Sequence, residues 1–225
     1  MNKFLRFVGI LFLSISALFN IAGGAGTTCV ALNPSGYEGK FDAIAKARWL
    51  YILFVLVTLA FGIMMARAVF LVIKRRQNAY RYALISLIGA IIIGGIHIIT
   101  SRSLRGSSMP VDGVVYTSML TLIIFLIFRI PGVWEKVDFT KAPKKDLNIS
   151  GGATAIVCGG LSLMIPYLMA DTHTINGVNY GDAFHLTTMG IGWGLILLGI
   201  SQCVLAVWRG RFPRQNSREK PVIAF

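Results

Sequence analysis

Residues 49–73 read WLYILFVLVTLAFGIMMARAVFLVI, an apolar run interrupted by one charge, Arg67. A helix rising ~1.5 Å per residue needs about 20 such residues to cross a ~30 Å hydrocarbon layer. Five more runs flank it: Phe4–Ala22, Ala83–Thr100, Val115–Ile130, Gly152–Ala170 and Leu186–Trp208. Val115–Ile130 is short and has to borrow from its flanks. Only helices and closed barrels satisfy their backbone groups in lipid, and these runs are too long for barrel strands. The expected fold is therefore an all-α polytopic membrane protein. Six transmembrane helices are expected to form three hairpins with short, β-hairpin-like outer loops.

The composition agrees with that class. Apolar residues make up 55% of the chain and charged residues 14%, well under the roughly 25% charged of a soluble domain. Residues 1–208 read as one membrane domain and 209–225 as a basic tail. The net charge of +13 raises nucleic acid as a partner, but its distribution excludes that reading. Fifteen of the 22 basic residues fall on alternate connections and the ends: Lys3 and Arg6; Lys74, Arg75, Arg76 and Arg81; Lys136, Lys141, Lys144 and Lys145; and five more between Arg209 and Lys220. The other connections hold only Lys40, Lys46, Arg48, Arg102 and Arg105. Short loops rich in Lys and Arg stay in the cytoplasm. Both termini are therefore expected there, in a bacterial-type plasma membrane.

The first run also resembles a secretory leader, with Lys3 and Arg6 before it and Gly23, Gly24 and Ala25 after it. Its apolar stretch exceeds a usual leader core, which favours a retained helix. Three isolated cysteines, Cys29, Cys158 and Cys203, form no CxxC pair, so neither a thiol redox pair nor a zinc knuckle is supported.

Two outer loops share a pattern. Val111-Asp112-Gly113-Val114-Val115-Tyr116 resembles Ile175-Asn176-Gly177-Val178-Asn179-Tyr180. Asp-Gly and Asn-Gly favour two-residue hairpin turns because both positions accept positive φ, so each loop is expected to turn tightly. Small residues mark helix contacts: Ser86, Ala90 and Gly94; Ala155 and Gly159; Gly190, Gly194 and Gly199, with Gly192 between. Such rows let helix backbones approach closely in lipid.

Arg67 and Arg129 are basic residues inside spans, close to the cytoplasmic end, where a long side chain reaches the interface or an anionic lipid. No acidic residue falls at a span centre, which argues against a proton- or cation-coupled carrier. All three histidines lie toward the outer side. His97 shares a helical face with Ala90 and Gly94, and His185 with Thr188 and Gly192. Three chemistries fit these positions. His97 and His185 on neighbouring spans would ligate a b-type haem. His173 with Asp171 and Asp182 would hold a metal. A histidine with Tyr116 or Tyr180 would bind a quinone head.

No nucleophile triad, phosphate loop or nucleotide motif is present in the sequence. The expected function is a non-catalytic, structural or accessory subunit of a larger membrane complex, partnered by lipid and by other subunits or its own copies. An electron-transfer subunit carrying haem or quinone is the first alternative. A small-solute transporter or channel is the second. An even number of crossings puts both ends in one compartment. Tags at Met1 and Phe225 should both react from the same face of sealed vesicles, and reaction from opposite faces would refute the six-span count.

Overall fold

The computed structural model describes residues 2–211, leaving out the side chains of residues 2, 171, 172 and 209–211. The predicted basic tail lies almost wholly outside the described residues. The elements in chain order are α1 (Asn2–Leu32), a 3-10 turn (Pro34–Gly36), α2 (Asp42–Ala45), α3 (Arg48–Ile73), α4 (Ala79–Arg105) and α5 (Val111–Phe128). They continue with α6 (Trp134–Val137), α7 (Lys144–Leu168), α8 (Ala170–His173), β1 (Thr174–Ile175), β2 (Val178–Asn179), a 3-10 turn (Tyr180–Phe184) and α9 (His185–Arg211). Six of the helices are long and apolar enough to cross a membrane. Large apolar side chains such as Leu56, Ile63, Ile92, Ile99, Ile123 and Leu197 face outward on them. That surface is compatible with an integral membrane protein, because lipid and not water is the solvent that tolerates it.

α1 packs against α3, α3 against α4, α4 against α5, and α5 returns to α1. These four helices make a closed ring. α7 docks on the outside of α1, and α9 packs along α7. The contacts thus do not divide the chain into three separate hairpins. The end at which α1 begins is proximal, and the end at which it finishes is distal.

Close approach rests on glycine. A Cβ on Gly24 would lie 2.8 Å from Leu59 Cγ, and one on Gly62 would lie 3.1 Å from the Ile21 backbone nitrogen. α1 and α3 therefore run antiparallel with each helix seated in a gap of the other. The α7–α9 seam is tighter. A Cβ on Gly159 would lie 2.6 Å from the Gly192 carbonyl oxygen, and one on Gly152 would lie 2.7 Å from that of Gly199. Two glycines seven residues apart on each helix thus meet as pairs, backbone on backbone.

A polar ladder joins α1 to α5 inside the ring. Ser16 and Thr121 hydroxyls lie 2.7 Å apart, and the Asn20 amide donates to Ser118 Oγ at 3.1 Å. All four side chains are fully buried. Spare donors return to their own helices: Asn20 to the Ser16 carbonyl and Ser118 to the Val114 carbonyl. At the proximal end Arg6 donates to the Val137 carbonyl and Lys3 pairs with Asp146, tying the start of α1 to α6 and α7.

Two expectations need revising. α1 continues to Leu32 through the glycines where the first run was expected to stop. There Thr27 and Thr28 donate back to the Gly23 and Gly24 carbonyls, and α3 and α5 cover the bare backbone. Gly113 lies in the first turn of α5 and not in a hairpin. Neither it nor Asp112 has positive φ, because the Asp112 carboxylate is drawn inward by Arg102 at 2.7 Å and Ser108 at 2.6 Å. A carboxylate in a first turn also favours the helix electrostatically. The other loop turns as expected. Asn176 (φ 47°) and Gly177 (φ 81°) join β1 to β2, with Ile175 opposite Val178.

The glycine seam makes a sharp prediction. Gly159→Leu should destabilise the α7–α9 pair by about 1–3 kcal/mol, the usual cost of overpacking. Gly160→Leu, where an added Cβ meets nothing within 4 Å, should leave stability unchanged. Denaturant titration in micelles compares the two.

Candidate functional site: a distal chamber and its apolar cleft

His97 forms part of the floor of a distal cavity. It projects from α4 into the ring and stacks on Phe54, with ring centroids 4.4 Å apart, and meets the edge of Tyr51 at 5.2 Å. The Tyr51 hydroxyl bonds to Ser101 Oγ at 2.7 Å, holding that ring in place. The chain between α1 and α3 folds over the top. Tyr37 packs edge-on against Phe41 and Tyr180 at 5.6 and 5.1 Å, and the Arg105 guanidinium lies 5.3 Å from the Phe41 ring centre. Asn176 at the tip of the β1–β2 hairpin donates to Glu38, so two loops far apart in sequence close one roof.

The partly open chamber has a volume of about 310 Å³. Its polar lining includes Cys29, Tyr37, Lys40, His97, Arg105 and His173. Burial raises the Tyr37 phenol above its ordinary range, and the adjoining Cys29 thiol raises it further. His173 comes from α8, where its Nδ1 lies 3.2 Å from the Met169 carbonyl. Gly26 of α1 lies beside it, and a Cβ there would make an ordinary contact with His173 Nε2 at 3.6 Å.

A second cavity of about 270 Å³ lies beside the first. Its walls come from α1, α5, α7 and α9, with Leu18, Phe19, Ile21, Ile165 and Ile191 among them. Gly26, Met109, Pro110, His173 and Phe184 line both cavities. A chamber that carries several polar groups and a cleft that is almost wholly apolar therefore share a wall.

The structure regroups the residues singled out from sequence. His97 and His173 border one chamber. His185 is exposed and borders a different, open hollow with Pro166, Tyr167, Asn179 and Asp182. The expected haem pair is thus not brought together, because α9 packs along α7 and not beside α4. Of the expected metal set, His173 lines the chamber and Asp182 borders the other hollow. The Asp182 carboxylate accepts from Asn179 at 3.2 Å, and the Asp171 side chain lies outside the described residues. Among the described residues no group of three His, Cys, Asp or Glu could hold a metal ion. Of the two tyrosines considered for a quinone, Tyr180 lines the chamber. Tyr116 is exposed and does not. Arg67 and Arg129 lie near the proximal end against aromatic rings, Arg67 over Tyr82 at 5.1 Å and Arg129 over Trp134 at 5.2 Å.

Sequence reasoning missed Tyr37, Tyr51, Phe54 and Arg105. Phe54 read as an ordinary apolar-run residue, Tyr51 as an aromatic at the head-group level, and Arg105 as one loop charge among several. One signal was present: Lys40 and Arg105 belong to the few basic residues on the sparsely charged side.

None of the family models, curated proteins and solved structures compared with this chain matches it.

His173 gives a pH test of the chamber. Burial holds its imidazole below the ordinary value of 6.5, the Met169 carbonyl pulls it back up, and the Lys40 ammonium lowers it further. A lowered pKa means that the folded chain binds fewer protons than the unfolded one near pH 6. The stabilisation is complete above the unfolded value and is lost as pH falls from 6.5 toward the folded value. The melting temperature in micelles should decline below pH 6.5, and His173→Gln should flatten that decline.

Proposed function

We propose that this chain is an integral membrane protein that binds one amphiphile, its polar head in the distal chamber and its hydrocarbon tail in the adjoining cleft. The shared wall at Gly26, Met109, Pro110, His173 and Phe184 carries this reading. A polar pocket alone would suit a solute, and an apolar cleft alone would suit any tail. Their contiguity suits a molecule with both parts. Sites for small ligands combine apolar walls with a few convergent polar groups in this way.

The chamber supplies aromatic faces, two imidazoles and cationic groups, so a lipid or a quinone falls within the class. Its polar groups bind and orient a head; no chemical step is assigned to them. In this reading the basic proximal end faces the cytoplasm, following the rule for Lys- and Arg-rich loops.

The accessory-subunit reading keeps one specific support. The last span buries 17% of its apolar window, against 28–44% for the other five. α9 is held along one side by α7, and added Cβ atoms on Gly190 and Gly194 meet nothing within 4 Å. A partner helix seated there would make the chain a subunit that carries a bound amphiphile.

Native mass spectrometry of protein purified in a mild detergent tests the main reading. The wild-type chain should retain one lipid-sized molecule. Gly113→Leu projects into the cleft, where an added Cβ at Gly113 meets nothing within 4 Å. The substitution gains roughly 1 kcal/mol in helix propensity, so the variant should fold and lose the bound molecule. Equal retention by both proteins would remove the cleft from the function.

A further inference from the structure

We infer that the amphiphile carries an acidic head, a phosphate or a carboxylate, and that Arg105 receives it; this rests on the amphiphile reading above. The charged residues lining the chamber are Lys40 and Arg105, and no described Asp or Glu joins them. Three carboxylates at the same end are engaged elsewhere, and Asp42, in the first turn of α2, does not line the chamber. Asp112 is held by Arg102 and Ser108, Asp182 by Asn179, and Glu38 by Asn176.

Arg105 is only partly satisfied within the chain. Its Nη2 donates to the Met109 carbonyl at 3.0 Å, and its guanidinium lies against the Phe41 ring. Its Nε is shielded from solvent and has no hydrogen-bond partner. A buried N–H left unpaired is costly, and a guanidinium donor is best matched by an anionic oxygen. The chamber therefore has local positive charge, an incompletely satisfied guanidinium in its wall and a connected route for a hydrocarbon tail. An uncharged head answers only the last of these, and a zwitterionic head brings an anionic oxygen but no net charge to balance Lys40 and Arg105.

The test uses the full chain in micelles with an equimolar mixture of dioleoyl phosphatidate, oleate and dioleoyl phosphatidylcholine, read by native mass spectrometry. The wild-type protein should retain the acidic species over phosphatidylcholine by about tenfold, the ratio expected of one charge-assisted hydrogen bond. Arg105→Gln should bring that ratio close to one while total bound lipid is kept. Arg105→Lys should preserve a preference for the acidic species. If Arg105→Gln fails to fold, judged by its melting temperature, Lys40→Gln serves as the variant: it should lower the ratio, and an unchanged ratio overturns the inference.

Equal retention of acidic and neutral lipids by the wild-type chain overturns it as well, as does selective retention of an added ubiquinone. Inorganic phosphate and glycerol 3-phosphate form the tail-less arm. Displacement of phosphatidate by either one at equal concentration would make the chamber a site for a free anion and not for a lipid head. The two readings fail separately. An acidic preference lost in Arg105→Gln but indifferent to Gly113→Leu would spare the head assignment and sink the cleft. Lipid lost in Gly113→Leu with no head preference would do the reverse.

Discussion

Water is absent from the hydrocarbon layer, so every polar group carried into it must find its partner within the chain. The Ser16–Asn20 and Ser118–Thr121 ladder is where this constraint shapes the protein most. Four fully buried polar side chains on α1 and α5 can be satisfied together in one register. Slipping either helix by a turn would separate Asn20 from Ser118 and Ser16 from Thr121, leaving these side chains only the carbonyls of their own helices. An individual bond of this kind contributes modestly, about 0.6 kcal/mol on average. The alternative registers are the ones that suffer. The ladder thus selects a register more than it adds stability, and in doing so it closes the ring of α1, α3, α4 and α5.

Ring closure sets the distal end. With α1 fixed against α5 by polar bonds and against α3 by Gly24 and Gly62, its last turns project into the space beneath the loops. Gly26 and Cys29 become walls of the chamber. The segment that most resembles a cleavable leader is also the helix on which α3, α5 and α7 all pack. Removing it would take away the proximal clamp at Arg6, the polar ladder and one wall of both cavities. The threonines at 27 and 28 show how the helix survives its glycines: each donates to a carbonyl four residues back, in a stretch where the side chain of Gly offers nothing.

Class and span count were legible because they depend on summed properties. Six apolar runs need no knowledge of neighbours. Boundaries were less so, since α1 runs on through Gly23 and Gly24 where α5 and α3 cover them, and through Gly26 beside His173. The two Gly-containing loops show the same limit. Asn176-Gly177 turned as its local chemistry dictates. Asp112-Gly113 did not, because Arg102, ten residues earlier, supplied a charged partner that local turn preference cannot foresee. Half of the candidate site was visible as well. His97 is buried within the bundle, as its helical face implied, but it meets the aromatic rings of Phe54 and Tyr51 there. The second histidine lining the chamber is His173, contributed by α8 beyond the end of α7, and not His185. Which histidine lines the chamber with His97 depends on α9 packing along α7, and helical periodicity within a single span carries no such information.

The asymmetry of basic residues has a second meaning once the structure is seen. Positive charge at the proximal end is abundant, and the sorting of loops across a membrane suffices to explain it. With the proximal end facing the cytoplasm, as proposed, each basic residue at the distal end runs against that sorting and calls for a local reason. Arg102 has one in the Asp112 carboxylate. Arg105 has only part of one, with a carbonyl and an aromatic face but an unpaired Nε. Lys40 lies exposed in the roof that covers the same chamber. Two of the five basic residues on this side therefore converge on a single cavity, beside a cleft fit for a hydrocarbon chain. An acidic head reconciles them with the apolar surroundings, since it would neutralise charge where the bilayer otherwise disfavours it.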